Sequence, residues 1–186
     1  MRERIRTTSN EDGGDGSRTG PHRAFQHPSS FYLLALVVLA LDQWTKHLAV
    51  AALDGGRVIP VVPGYIVLNL VHNQGSAFGL FQGGAAALAV VGVIAIGIIV
   101  WIERRGLPGV ALRVAVALQL GGALGNLVDR VRFQYVIDFV ELQWEGRNIW
   151  PVFNVADSAI TVGTILLVLW ILRGEESGAA PRAGAA

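Results

Sequence analysis

A charge-free run of 20 residues, 83–102, restricts the fold of this chain more than any other feature of its sequence. At a rise of about 1.5 Å per residue, a helix of this length spans a hydrocarbon core about 30 Å thick. Three further apolar stretches have the length of membrane spans, at residues 31–53, 110–128 and 154–172. The sequence therefore predicts a membrane α-helical protein with four transmembrane helices.

The composition favours one membrane-embedded domain. Of the 186 residues, 52% are hydrophobic and only 16% are charged, which is unusual for a soluble domain. The predicted domain covers residues 31–173. Polar and Gly-rich segments flank it, and we predict disordered tails at residues 1–30 and 174–186. A secretory signal peptide is the alternative for the first apolar stretch, and the further apolar stretches that follow argue against it.

Several kinds of chemistry are excluded by the residue inventory. A formal net charge of +1 provides no basic footprint for nucleic acid. The absence of cysteine removes thiolate nucleophiles and thiolate metal ligands. The four histidines do not occur at metal-binding spacings. We therefore predict no cofactor and no metal, and any chemistry must use carboxylates, hydroxyls, amides or the single lysine.

The distribution of arginine predicts the orientation in the membrane. The arginines of the N-terminal tail, of the connection between spans two and three and of the segment after span four together outnumber those of the other two connections. Because positive residues are retained on the cytoplasmic side, both termini are predicted to be cytoplasmic. The two longer connections, residues 54–82 and 129–153, would then lie together at the outer face.

The first outer connection contains two β-branched runs, VIPVV and YIVLNLV, which predict short strands. The following HNQGSAFGLF segment fits a recognition loop leading into an interfacial helix, or a simple re-entry turn anchored in lipid. The predicted fold thus includes a small extracytoplasmic β-like segment and an interfacial helix between spans one and two. Trp144 and Trp150 are predicted to be anchors at the membrane interface.

Ionisable residues in or beside the spans are candidate functional residues, because charge is costly in a bilayer. Asp42 and Lys46 lie four residues apart, on one face of the first span. They could neutralise each other as an ion pair or help to position a site, and the two interpretations are compatible. Asn126, Asp129 and Arg130 recur at helical spacing near the end of span three, where a solvated helix end is the alternative.

Two further aspartates stand near the predicted outer face. Asn154 and Asp157 have the N-x-x-D spacing of a helix cap. A cap explains Asn154, whereas Asp157 already lies inside the helix and needs a further reason. Asp138, within YVIDFVEL, is flanked by apolar residues, and a surface strand that exposes it by chance is the alternative.

Two carboxylates held close together in a partly desolvated site share one proton. The ionised carboxylate can then activate water, while the protonated one polarises a scissile carbonyl. A proton-coupled transporter or ion pathway would also use intramembrane acids. Such acids normally lie near the midplane, often on repeated or broken helices. A noncatalytic scaffold would leave both aspartates unexplained.

Five short sequence blocks carry a resemblance to a known family. They are Asp42-Gln43 with Lys46, N-x-G-x-A-F at 73–78, G-N-x-x-D-R at 125–130, V-x-D-F at 136–139 and F-N-x-A-D at 153–157. In this order, across residues 42–157, they resemble bacterial lipoprotein signal peptidase, or signal peptidase II. The resemblance implies a membrane aspartyl endopeptidase that cleaves prolipoproteins before a diacylglyceryl-modified cysteine. Its expected location is the bacterial cytoplasmic membrane, with membrane lipid as a partner, and we expect a monomer.

The resemblance also implies roles for individual residues. Asp138 and Asp157 match the catalytic dyad. The positions implied to bind substrate or support the site are Asn73, Gly75, Asn126, Asp129, Arg130, Asn154, Asp42 and Lys46. The sequence leaves open which aspartate is the general base, and the helix dipole, which favours the ionised form of Asp157 by about 0.3–1 kcal/mol, is the one argument for Asp157. The sequence departs from the family pattern at Gln134, where glycine is common in the family. This departure leaves open the geometry of the local turn but does not affect the assignment of the dyad.

Overall fold

The computed structural model describes residues 28–75 and 84–178, with side chains up to Arg173. The predicted interfacial helix between spans one and two lies outside the described residues. Most of the predicted N-terminal and C-terminal tails also lies outside them.

The described residues form four long helices that confirm the predicted spans. They are α1 (Pro28–Leu53), α2 (Ala85–Arg104), α3 (Val110–Phe133) and α4 (Val155–Gly178). Each is long and apolar enough to cross a membrane. Helix α3 extends five residues beyond the apolar stretch that predicted it, and α4 begins one residue later than predicted and continues past residue 173. The extension of α3 places Asp129 and Arg130 within the helix.

Helix α3 lies at the centre of the bundle, and glycines allow its neighbours to approach closely. A Cβ atom added at Gly121 would lie 2.6 Å from the Cβ of Val38 in α1. A Cβ atom at Gly122 would overlap the carbonyl oxygen of Ala156 in α4. Because lipid tails are as apolar as these side chains, close packing rather than exclusion from water holds such helices together. Gly121 and Gly122 therefore let α1 and α4 pack closely against the backbone of α3.

The two longer connections form an antiparallel sheet with the strand order β1-β2-β3-β4. The strands are β1 (Val58–Val62), β2 (Ile66–Asn73), β3 (Val136–Trp144) and β4 (Arg147–Asn148). The first two confirm the strands predicted from their β-branched runs. Since β1 follows α1 and β3 connects α3 to α4, the sheet lies at the end of the bundle where α1 and α3 finish and α4 begins.

Gln134, where the sequence departs from the family pattern, lies in the turn between α3 and β3. This residue ends α3 in the left-handed conformation, with φ 65° and ψ 14°. Its backbone N–H donates to the carbonyl of Arg130 at 3.1 Å. Helices often end in this conformation, and glycine adopts it without a steric penalty. Gln134 thus preserves the turn geometry in a conformation that favours glycine.

Candidate active site

Asp138 lies on β3 and is only 1% exposed. Its two carboxylate oxygens accept hydrogen bonds from two asparagine side chains. Asn73, the last residue of β2, donates through Nδ2 to Oδ2 at 2.8 Å. Asn154, immediately before α4, donates through Nδ2 to Oδ1 at 2.7 Å. Burial and two directed donors make Asp138 a fixed part of a site, so the surface-strand alternative is wrong.

Asp157 lies in the first turn of α4 and combines a helix cap with a second contact. Its backbone N–H donates to Oδ1 of Asn154 at 2.9 Å, and Asn154 N–H donates back to Oδ2 of Asp157 at 3.3 Å. This reciprocal pair confirms the predicted cap. The other oxygen, Oδ1, accepts from Nδ2 of Asn126 at 2.8 Å. The cap therefore accounts for only one of the two carboxylate oxygens.

The two aspartates line the same cavity of about 210 Å³. Asn154 links the hydrogen-bond partners of the two aspartates, because its Nδ2, which donates to Asp138, also donates to Oδ1 of Asn126 at 3.2 Å. Six of the ten residues implied by the resemblance line this cavity, namely Asn73, Gly75, Asn126, Arg130, Asp138 and Asp157. The sequence assigned no role to the other lining residues, which are Val136, residues 150–153, Ile160 and Thr161.

The charge state of Asp138 is set by its surroundings. The pKa of Asp138 is raised to about 7, mainly by burial and also by the negative charge of Asp157. The hydrogen bonds from Asn73 and Asn154 and the charge of Lys46 act in the opposite direction. Desolvation and a like charge are the standard causes of a proton retained at neutral pH. Asp138 can therefore retain its proton near neutral pH, as the protonated member of a carboxylate pair must.

Lys46 lies beneath the cavity in a buried cluster of charges. Its Nζ is 2.8 Å from Oδ2 of Asp42 and 2.8 Å from Oδ2 of Asp129. It also donates to Oδ1 of Asn126 at 3.1 Å. The predicted ion pair with Asp42 is confirmed, and the bond to Asn126 links it to the aspartate cavity. Asp129 is 1% exposed, so the alternative of a solvated helix end is wrong for this residue.

The acids of the cluster also connect the structural elements that carry the site. Oδ1 of Asp42 accepts from the backbone N–H of Ala156 at 2.9 Å, and Oδ2 of Asp129 accepts from Ile137 N–H at 3.1 Å. Gln43 donates to Asp42 at 3.2 Å and to Asp129 at 3.0 Å. Gln43 was part of a sequence block but received no role. In the sequence, the one indication of its role was that Gln43 directly follows Asp42.

Gly75 and Arg130 act on the two sides of the cavity. The N–H of Gly75 donates to Oδ1 of Asn73 at 3.0 Å, which leaves the Nδ2 of Asn73 directed at Asp138. Arg130 donates through Nη1 to the carbonyl of Asn126 at 3.3 Å. Its positive charge acts on both Asp157 and Asp138. Gly75 thus orients a donor, and Arg130 adds positive charge to the cavity.

No group of three or more His, Cys, Asp or Glu side chains in residues 28–75 and 84–173 is arranged to hold a metal ion. The chemistry available in the described site is that of two carboxylates and their amide and guanidinium neighbours. Four membrane-crossing helices and two aspartates on one cavity define the class of the protein: a multi-pass membrane protein with a carboxylate-pair site of the aspartic peptidase kind.

Comparison with known proteins gives the family. The family model for signal peptidase (SPase) II matches residues 34–173. The chain belongs to the signal peptidase II family. A lipoprotein signal peptidase from Listeria monocytogenes is 39% identical over 142 residues, covering 76% of this chain and 92% of the Listeria protein. A lipoprotein signal peptidase from Pseudomonas putida is 43% identical over 150 residues, covering 77% of this chain and 87% of the Pseudomonas protein.

Two solved structures have a similar fold. Both are described as bacterial membrane enzymes whose structures were determined by the in meso method. The structure at 2.3 Å resolution has a TM-score of 0.74 and 28% identity, covering 85% of this chain and 96% of the other. The structure at 1.9 Å resolution has a TM-score of 0.69 and 29% identity, covering 78% of this chain and 94% of the other. These matches agree with the four-helix architecture and the small sheet.

Proposed function

We propose that Asp138 and Asp157 are the catalytic pair with which this signal peptidase II removes signal peptides from prolipoproteins, cutting before a diacylglyceryl-modified cysteine. The observation that carries the proposal is the shared cavity. Both carboxylates face it, and Asn126 and Asn154 hold them in place. Membership of the signal peptidase II family and relatives named lipoprotein signal peptidase support the substrate class.

The reaction follows from the two charge states. A water molecule between the carboxylates attacks the scissile carbonyl carbon, and Asp157 accepts a proton from the water. Asp138, whose pKa is about 7, donates its proton to the developing oxyanion. The carbonyl then re-forms with return of this proton to Asp138, the C–N bond breaks, and the leaving amine takes the proton held by Asp157. The hydrogen bonds from Asn126 and from the N–H of Asn154 hold both oxygens of Asp157 in place for this step.

The remaining polar groups of the cavity have supporting roles. Asn73 and Asn154 orient Asp138, and Asn126 orients Asp157. Arg130 provides positive charge close to both carboxylates, where a substrate carbonyl and the oxyanion would bind. The cluster of Asp42, Lys46 and Asp129 keeps α1, α3 and α4 in the arrangement that the cavity requires.

We further place the site at the outer face of the cytoplasmic membrane, with both termini in the cytoplasm. The distribution of arginine supports this orientation. Trp150, which lines the cavity, is 55% exposed, and Trp144, at the end of β3, is 60% exposed, as expected for side chains at a membrane interface. A site at this level meets a lipid-modified peptide without withdrawing its acyl chains from the bilayer. The peptidase domain would act as a monomer and comprise residues 31–173.

A proton-coupled transporter or ion pathway was the alternative use of such acids. Neither the family match nor the relatives support it. Asp157 lies in the first turn of α4 and Asp138 in the sheet, whereas a transport site is typically near the midplane of the bilayer.

The test is cleavage of a diacylglyceryl-modified precursor peptide in detergent. Asp138→Asn and Asp157→Asn should each lower turnover by at least about 10²-fold, since each removes a group needed for proton transfer. Asp54→Asn is the matched control, because Asp54 is an exposed aspartate in the first connection. Retained turnover in both site variants, with folded protein, would refute the assignment. Turnover of the lipidated peptide but not of an unlipidated one would support the substrate class.

A further inference from the structure

Glu141 is a buried acid that the mechanism does not use. It lies on β3, three residues after Asp138, and is 5% exposed. Its Oε2 accepts from Nδ2 of Asn69 at 2.8 Å, and its Oε1 accepts from Nε2 of Gln143 at 2.6 Å. Burying a carboxylate is costly even when it is hydrogen-bonded. The burial of Glu141 therefore indicates that this carboxylate has a structural or functional role.

Two parallel observations connect Glu141 to the aspartate cavity. Strand β2 donates to β3 through two asparagines: Asn69 donates to Glu141 and Asn73 to Asp138. The donors are four residues apart on β2, but the acceptors are only three residues apart on β3. The two bonds can coexist only if β2 contains one extra residue between them.

The pairing of the strands shows this extra residue. Val67 pairs with Glu141, whereas further along β2 it is Val71 that pairs with Asp138, after a bulge between Leu68 and Val71. Without the bulge, the register at Glu141 would place Leu70 opposite Asp138. The bulge thus shifts the final residues of β2 by one position relative to β3.

This shift decides whether Asn73 reaches Asp138. One residue of strand corresponds to about 3.4 Å, and a slip of one residue also turns each side chain to the other face of the sheet. A hydrogen bond of 2.8 Å between Asn73 and Asp138 would not survive either change. The bond therefore depends on the bulge staying in place.

We propose that Glu141 is a positioning residue for the aspartate pair: by binding Asn69, which lies within the bulge, it holds the bulge in place and so brings Asn73 to Asp138. Gln143 holds the second oxygen of Glu141 and keeps the carboxylate directed at Asn69. This inference rests on the proposed function, because it assigns a role to Asp138 in catalysis.

The proposal has a signature that a purely structural role would not produce. The hydrogen bond from Asn73 lowers the pKa of Asp138, so its loss would raise that pKa above its present value of about 7. The other groups facing Asp138 would remain, namely Asn154, Asp157, Lys46 and Arg130. The alkaline limb of the pH profile of kcat/KM, which reports loss of the proton shared by the pair, should therefore move to higher pH.

The experiment measures this pH profile for Glu141→Gln. The new amide has only one acceptor oxygen, so it cannot accept from Asn69 through one polar atom and from Gln143 through the other. Its alkaline limb should shift upward, as it should in Asn73→Ala, and the double variant Asn73→Ala/Glu141→Gln should shift no further than Asn73→Ala alone. The exchange variant Asn69→Asp/Glu141→Gln reverses donor and acceptor and should restore the wild-type limb. Glu145→Gln is the matched control, because Glu145 is an exposed glutamate in the turn between β3 and β4. The pH profile of this variant should not change.

The outcomes separate this proposal from the proposed function. A folded Glu141→Gln variant with the wild-type pH profile overturns the role of Glu141. If Glu141→Gln does not fold, the exchange variant decides: a wild-type profile supports the proposal, and any other result overturns it. Activity retained in Asp138→Asn would instead refute the catalytic assignment, whatever Glu141 does.

Discussion

Lys46 donates to Oδ1 of Asn126 at 3.1 Å, and the Nδ2 of the same amide donates to Asp157 at 2.8 Å. One asparagine side chain thus lies between the buried ion pairs and a proposed catalytic carboxylate. Because Lys46 fixes the oxygen end of the amide, it also fixes which end faces Asp157. The cluster therefore determines the donor that Asp157 receives, in addition to joining the helices.

Lys46→Met should destabilise the protein strongly. It would leave Asp42 and Asp129 buried, close together and without their cation, a loss on the order of 3–5 kcal/mol for a broken buried pair. We expect a large fall in the yield of folded protein and in Tm, measured by tryptophan fluorescence in detergent.

The triple variant Lys46→Met/Asp42→Asn/Asp129→Asn tests the second role of Lys46. Removing all three charges should recover folding, because no unpaired charge remains. Activity should stay reduced by about tenfold or more, since Asn126 has lost its charged donor. Full recovery of activity would show that Lys46 acts only through the ion pairs.

Gly125→Ala should weaken the contact between α3 and its neighbours. A Cβ at this position would collide with the carboxylate of Asp42 and lie 3.3 Å from the Cβ of Ala156. Overpacking of this kind typically costs about 1–3 kcal/mol, so we expect a lower Tm. Gly97→Ala in α2 is the control, because a Cβ at Gly97 would meet nothing within 4 Å. An equal fall in both variants would contradict the packing argument.

Gln134→Gly should stabilise the protein, because φ at this position is 65°. Glycine relieves the steric cost of the left-handed conformation, which is about 1 kcal/mol, and loses only an exposed side-chain bond to the Arg130 carbonyl. Gln134→Ala removes the same side chain without relieving the backbone, and should not raise Tm. A rise in Tm with alanine equal to that with glycine would contradict the explanation.

The stability of the protein should fall between pH 5 and pH 8 in part because of Asp138. Its pKa is raised from 3.8 to about 7 in the folded state, so its favourable contribution is complete below pH 4 and is lost as pH rises through 7. In Asp138→Asn this contribution cannot change with pH. The fall in Tm from pH 5 to pH 8 should therefore be smaller in the variant than in the wild type, and equal slopes would show that Asp138 is ionised at neutral pH.

The spans and strands were predictable because each depends on a local pattern. The charge-free run of α2 and the β-branched runs of β1 and β2 gave these elements to within a few residues. The ordered blocks gave the two aspartates of the cavity together with Asn73, Gly75, Asn126 and Arg130, since the family resemblance assigns these residues position by position. Spacing alone left Asp138 undecided, because its burial comes from contacts with Asn73 and Asn154, which lie 65 and 16 residues away.

The roles of Gln43 and Glu141 were not predictable from the sequence. The amide of Gln43 contacts Asp129, 86 residues away, only because α1 and α3 pack at this level. The bond between Asn69 and Glu141 depends on strand register and on a bulge. No residue pattern within β2 marks the bulge, since it arises from the way in which two strands align.

Asn154 holds Asp138 in place with its side chain and caps the helix that carries Asp157. Both functions reside at the start of the last membrane span, while Asp138 is synthesised before it. A growing chain therefore has no assembled aspartate pair until α4 has been made and has docked against α3. Docking of α4 and assembly of the proposed aspartate pair are therefore one event.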